Sequence, residues 1–245
     1  MKNGFAQHNV LWTSPSAINT WVYSKKNWVL NYLFGQRTPV NAAMKRGTVI
    51  EDAVVSVLIG DKSEEAAVND AVNRFNREMT FSNDPRMEIE RESITPSIKQ
   101  AVVSLSIYGR PDFMPNSKQH KINTVCRTDQ WSLPVVGYLD LVYPQHKLII
   151  DIKTTHNIPK NGITAPHRRQ GAVYAHAMAD YTVKFNYVTP NETAIHTIDR
   201  VPETMAEIKQ IILEMEVFLS SSDDKNVLLD QLTTKEKADV QHATI

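Results

Sequence analysis

Apolar residues recur at helical spacing through the first half of the chain and bunch into short runs through the second. Ser14-Pro15 is a helix start, because the Ser14 hydroxyl can cap and a proline at the first helical position gives up no needed N–H. Ile18, Trp21, Val22, Trp28, Val29, Tyr32 and Leu33 then form one stripe that Gly35 ends, which predicts a single core-packing helix after a lead-in to Trp12 that holds at most a short strand. A second helix is predicted over Ala42–Leu58, with Ile50, Ala53, Val54, Val57 and Leu58 buried, and a third over Ser63–Met79. Asn83-Asp84-Pro85 marks a loop. Thr95-Pro96 opens a fourth helix that Gly109 closes. The segment Lys121–Trp131 alternates like a strand. Two apolar runs follow, Leu133–Tyr143 and Leu148–Ile152, joined by Pro144-Gln145-His146-Lys147 as a hairpin. After a loop over His156–Pro166 come a helix (Pro166–Tyr181), two strands (Lys184–Thr189 and Thr193–Ile198) and a helix (Pro202–Leu219). This order predicts an α/β layered domain with a mixed sheet and a helical N-terminal half. Residues 1–220 read as one domain and 221–245 as a polar tail, weakly packed or disordered.

The pattern also exposes an anomaly. On the strand around Ile152, Asp151 and Lys153 share one face while Ile152 points to the other. A carboxylate and an ammonium side by side, near Asp140 of the preceding run, are costly in an apolar sheet unless paired or holding a metal. At about 100° per residue, Glu51 lies at the edge of its helix's buried stripe while Asp52 points toward water. Gly47, one turn before Glu51, leaves room for another backbone to approach.

Composition narrows the picture only in part. The chain has 245 residues, 42% of them apolar, and no stretch long and apolar enough to span a bilayer. The first eight residues lack the apolar run of a secretory signal. A single cysteine, Cys126, excludes internal disulfides, multi-cysteine zinc sites and cysteine-held iron–sulfur clusters, and it points to a reducing, cytoplasmic setting. Cys126 itself reads as a small buried hydrophobe. Zero net charge gives no support for coating nucleic acid, yet a nuclease needs only carboxylates and a local basic groove. If Glu51, Asp140 and Asp151 converge, their hard oxygens suit magnesium, with manganese able to substitute, and the Ile152 carbonyl is a further donor. Lys153 could then hold an attacking water or neutralise a phosphoryl oxygen.

Gly137-x-x-Asp140, then Asp151-Ile152-Lys153-Thr154-Thr155, then Gln170-x-x-x-Tyr174 resembles the PD-(D/E)XK nuclease superfamily, in its RecB and lambda-exonuclease-like branch. In that branch an upstream helix carries a Gly followed by a Glu or His that joins the metal shell, and Arg46-Gly47-Thr48-Val49-Ile50-Glu51 is similar, with Glu51 at that position. The resemblance covers roughly Ser14 to Ile198. It implies a restriction-endonuclease-like core, with a central mixed β-sheet flanked by helices. It also implies that Glu51, Asp140 and Asp151 are metal ligands, that Lys153 is the catalytic lysine, and that Gln170 and Tyr174 brace the site or touch the DNA backbone. Leu139 stands where the family has Pro, and Asp151 where Glu is frequent; the superfamily tolerates both.

Several residues keep two readings. His167 is a substrate contact or a helix-start His at a solvent boundary. Arg168 and Arg169 are phosphate contacts or surface charge. Tyr174 alone could be core. Ser14 and Ser16, at the first helix, could meet phosphates or be solvated. The activity expected is a magnesium-dependent deoxyribonuclease, taken as an exonuclease that processes DNA ends in recombination, repair or phage replication. A structure- or site-specific endonuclease and a non-catalytic nucleic-acid-binding module stay open beside it. The expected partners are DNA and a single-strand annealing or other recombination protein. Self-association is a further expectation; a membrane is not. A bacterium or a phage-infected host would suit such an enzyme.

Overall fold

The computed structural model describes residues 3–37, 39–112, 119–127 and 132–242. In chain order these form α1 (Gly4–Gln7), α2 (Pro15–Tyr23), α3 (Lys25–Tyr32), α4 (Ala42–Leu58), α5 (Glu64–Met79), α6 (Met87–Glu92), α7 (Ile94–Leu105), β1 (His120–Arg127), β2 (Ser132–Leu139), β3 (Leu141–Tyr143), β4 (Leu148–Thr154), α8 (Ala165–Ala177), β5 (Thr182–Val188), β6 (Thr193–Thr197), α9 (Val201–Leu219) and α10 (Lys225–His242). The architecture is α/β. The chain divides into two compact units: Met1–Thr38 with Asn123–Gly137 and Arg200–Ile245, and Pro39–Ile122 with Tyr138–Asp199.

The first unit is built on α2, α3 and α9. Ser14 accepts from the Ala17 N–H and caps α2 as its sequence predicts. The single helix expected up to Gly35 is two helices. Ser24 takes an extended conformation, ends α2 and caps α3 through the Asn27 N–H. Ile18, Trp21, Trp28 and Val29 are buried, while Val22 and Tyr32 of the expected stripe are exposed; Trp21 and Trp28 still meet edge to face at 5.5 Å, and Phe218 closes on Trp21 at 5.3 Å. The lead-in holds the short helix α1, whose first N–H groups bond the Glu216 carboxylate, and Thr13 pairs with β2 as a single bridge. Strands β1 and β2 make a two-stranded sheet, most of it in this unit. The last residues of the strand expected up to Trp131 lie outside the described residues. Beyond Ser220 the chain forms α10, which packs on α3 and buries Leu228.

The second unit is a four-stranded mixed sheet, ordered β3-β4-β5-β6, with helices against it. β3 and β4 are the predicted hairpin; Leu141 faces Ile150, and Lys147 turns the corner in a left-handed conformation. β4 and β5 run parallel, with Asp151 beside Phe185 and Lys153 beside Tyr187; β6 returns antiparallel. Ile150 and Ile152 join the core made by α4, α5 and α7. On β5, Asn186 reaches Ser104 of α7, whereas Phe185 lies against Gly171 of α8, so the two helices take opposite faces. Asp151 and Lys153, in register with Phe185 and Tyr187, therefore belong to the α8 face.

Three further expectations change. The run Leu133–Tyr143 is not one strand: the ladder breaks at Asp140, which separates β2 from β3. An unbroken apolar run carries no mark of such a break. The stretch after Pro85 contains a helix, α6, that the sequence reading missed. Finally, α8 stops at Ala177, short of Tyr181, because Met178 leaves the helical conformation.

Candidate active site

The site lies at the C-terminal end of β4, beyond the start of β3. Lys153 Nζ stands 2.5 Å from Asp151 Oδ2, which places both on one side of the strand. Oδ2 is buried, and the Lys153 ammonium is the positive charge it faces. Asp151 is wholly buried and Asp140 nearly so. Because the β3–β4 ladder begins at Leu141 and Ile150, the Ile152 N–H has no strand partner there and instead donates to Asp140 Oδ2 at 2.9 Å. The N–H and C=O of a strand residue leave the same edge, so the Ile152 carbonyl faces that edge as well.

Glu51 comes from α4, whose bounds are those expected, Ala42–Leu58, with Asn41 as its cap. Gln119 joins it to the acidic group: one amide nitrogen donates to Glu51 Oε1 at 2.7 Å and to Asp140 Oδ1 at 3.1 Å. Asp52 does separate from Glu51: its side chain stays partly exposed and pairs there with Arg74 of α5, the helix packed on that side of α4. Gly47 keeps α4 close to β4; a Cβ there would come within 3.3 Å of the Thr154 hydroxyl.

The electrostatics follow from crowding without water. Burial raises Glu51 to about 7, with Asp151 and then Asp52 adding to the effect. Burial also raises Asp140, reinforced by Asp151 and Glu51. Asp151 rises through burial, against the pull of Lys153. Burial alone would lower Lys153, but attraction to Asp151 and Asp140 outweighs it and holds the ammonium above its usual value.

Helix α8 supplies the brace. Gln170 donates to Asp151 Oδ1 at 2.9 Å and to the Tyr174 hydroxyl at 2.6 Å, and that hydroxyl donates to the Tyr138 carbonyl at 2.6 Å. Tyr174 is thus buried and, at the same time, tied to the chain just before Asp140. His167 stacks on Phe185 and hydrogen-bonds the Tyr187 hydroxyl at 2.7 Å. Burial first, and Lys153 next, lower it to about 4, so it is neutral near pH 7. Arg168 pairs with Asp199 at 3.1 Å, and Arg169 is largely buried. Ser14 and Ser16 belong to the first unit, where their hydroxyls bond each other at 2.9 Å.

The sequence reading missed two features. Gln119 is one; a lone Gln in an irregular stretch carries no pattern. The other is a buried pair on the α4 side of the site. Arg46 Nη1 donates to Glu90 Oε2 at 2.6 Å, and the His156 Nε2 lies 3.0 Å from the same Nη1 and 3.2 Å from Glu90 Oε1. Arg46 precedes the Gly47 that drew notice, and its neighbour in sequence was the available clue.

Among the described residues, no three His, Cys, Asp or Glu side chains are gathered as a ready coordination shell. The donors nevertheless suit a hard cation. Asp151 Oδ2 is a buried carboxylate oxygen facing the Lys153 ammonium, and Glu51 and Asp140 each place an oxygen within reach of one shared atom. In this arrangement they are turned to internal partners. Among the described residues, no helix is long and apolar enough to cross a membrane. No family model and no curated protein matches the chain. Among solved structures, that of SSO0001 is similar at 14% identity and a TM-score of 0.37, covering 68% of this chain and 84% of that one; a likeness so loose carries no argument.

Proposed function

We propose that the second unit is a metal-dependent deoxyribonuclease of PD-(D/E)XK type, acting as an exonuclease on DNA ends. The observation that carries this reading is the meeting of Glu51, Asp140, Asp151 and Lys153, drawn from a helix, a strand break and one strand. On this reading the β3–β6 sheet with α4, α7 and α8 is the restriction-endonuclease-like core. Glu51, Asp140, Asp151 and the Ile152 carbonyl would hold magnesium, which when bound lowers the pKa of a coordinated water and offsets charge on the phosphoryl oxygens. The chain's own contribution is positional. The Ile152 N–H fixes the Asp140 carboxylate, and Gln170, anchored by Tyr174, fixes Asp151. Lys153 keeps its proton, so it can donate to an attacking water or a phosphate oxygen as negative charge builds.

Digestion of end-labelled linear, closed circular and single-stranded DNA, with magnesium and with a chelator, tests the proposal. Linear DNA should shorten from its ends only when magnesium is present, and closed circles should survive. Asp140→Asn, Asp151→Asn and Lys153→Ala should each abolish cleavage while DNA binding stays measurable. Full cleavage by either Asp variant sinks the assignment.

A further inference from the structure

We infer that Gln119 is a gate on the proposed cation site, holding Glu51 and Asp140 together by its amide and withdrawing when a cation takes both. The inference rests on the metal-dependent reading above and adds how that site is kept closed. A side-chain NH2 carries two hydrogens. Here each meets a different carboxylate, at 2.7 Å and 3.1 Å from one nitrogen. Those two oxygens belong to buried acids that otherwise repel each other, so the amide supplies the positive end that the pair lacks. Magnesium takes its oxygens at about 2.0–2.1 Å. An ion touching the same two oxygens would occupy the space where the nitrogen stands, with N–H bonds aimed at it. Both cannot be present. Gln119 is only partly buried and precedes β1 instead of lying within a strand, so its side chain can turn aside without opening the ladder. With Gln119 in place and Lys153 drawing Asp151, the absence of a gathered shell among the described residues follows.

Cation entry must then break two charge-assisted hydrogen bonds, and their removal should be visible without any substrate. The experiment is calorimetric titration of the full chain with manganese alone, for wild type, Gln119→Ala and Gln119→Met, the last keeping the length without the donors. Asp140→Asn serves as the site control. Both Gln119 variants should bind manganese roughly tenfold tighter, about one charge-assisted hydrogen bond's worth, and should melt earlier than wild type only in the metal-free state. Unchanged affinity overturns the gate and leaves the nuclease reading standing. Weaker affinity also overturns it, because it makes the Gln119 carbonyl oxygen a ligand. Tighter binding without DNA cleavage supports the gate and removes the nuclease. If no protein binds manganese in a way that Asp140→Asn abolishes, both fall.

Discussion

The Arg46–Glu90 pair offers the sharpest test of the packing, and it does not depend on what the protein does. Glu90→Gln keeps the side chain's size and one acceptor oxygen but removes its charge. Glu90 is fully buried and Arg46 is 4% exposed, so the guanidinium that remains cannot simply turn to water. The neighbours His156 Nε2, 3.0 Å from Nη1, and Thr154 Oγ1, 3.5 Å from Nη2, carry no negative charge, and Arg46 Nε is buried without a hydrogen-bond partner. Burial pulls the Arg46 pKa down, with Glu90 the main force opposing it, so the carboxylate is what makes the charge tolerable. Removing one member of such a pair costs about 3–5 kcal/mol. Against a total of about 5–15 kcal/mol, that is a large share of the fold's stability. Guanidinium denaturation followed by circular dichroism should show a lower midpoint at an unchanged slope. Arg46→Met combined with Glu90→Leu should recover most of the loss, since no unpaired charge is left. A loss below about 1 kcal/mol for Glu90→Gln would refute the reasoning, because that is how a solvated surface pair behaves.

Two further outcomes follow from the site. Glu51 binds its proton more tightly folded, near 7, than at its ordinary value of 4.5, so its contribution is complete below about 4.5 and is lost as pH rises through 7. The shift corresponds to about 3 kcal/mol, so in metal-free thermal melts wild type should lose more stability between pH 5 and 8 than Glu51→Gln does; equal losses would contradict it. Tyr174→Phe removes the donor to the Tyr138 carbonyl and the partner of Gln170, and should cost about 1–3 kcal/mol in chemical denaturation. An unchanged midpoint would show that the brace is not under Tyr174's control.

Legibility in the sequence tracked periodicity. Helix α4 was readable to its end residues because its apolar stripe is regular and the turn formers Gly60-Asp61 come just after it. The same 100° step separated Glu51 from Asp52, and the two do engage different partners, Gln119 and Arg74. What Asp52 pairs with was not readable, since helix phase says nothing of the neighbour on that side. Ser24 escaped notice because the stripe keeps its phase across it. Asp140 was visible as a misplaced charge, but not as the point where one strand ends and another begins. Glu90 sits in the charged run Glu88-Ile89-Glu90-Arg91-Glu92, where composition argues for a solvated surface; only tertiary packing sends it inward to Arg46.

The bond from the Ile152 N–H to Asp140 Oδ2 has a consequence for hydrogen exchange. Neighbouring amides of β4 are protected by backbone carbonyls and open only with the sheet. This one is protected by a side chain. Whatever draws the Asp140 carboxylate aside, whether a proton, an ion or a substitution, frees a single backbone amide while the strands on either side stay closed. The Ile152 amide is therefore a reporter built into the sheet, and its exchange rate reads the state of the carboxylate beside it.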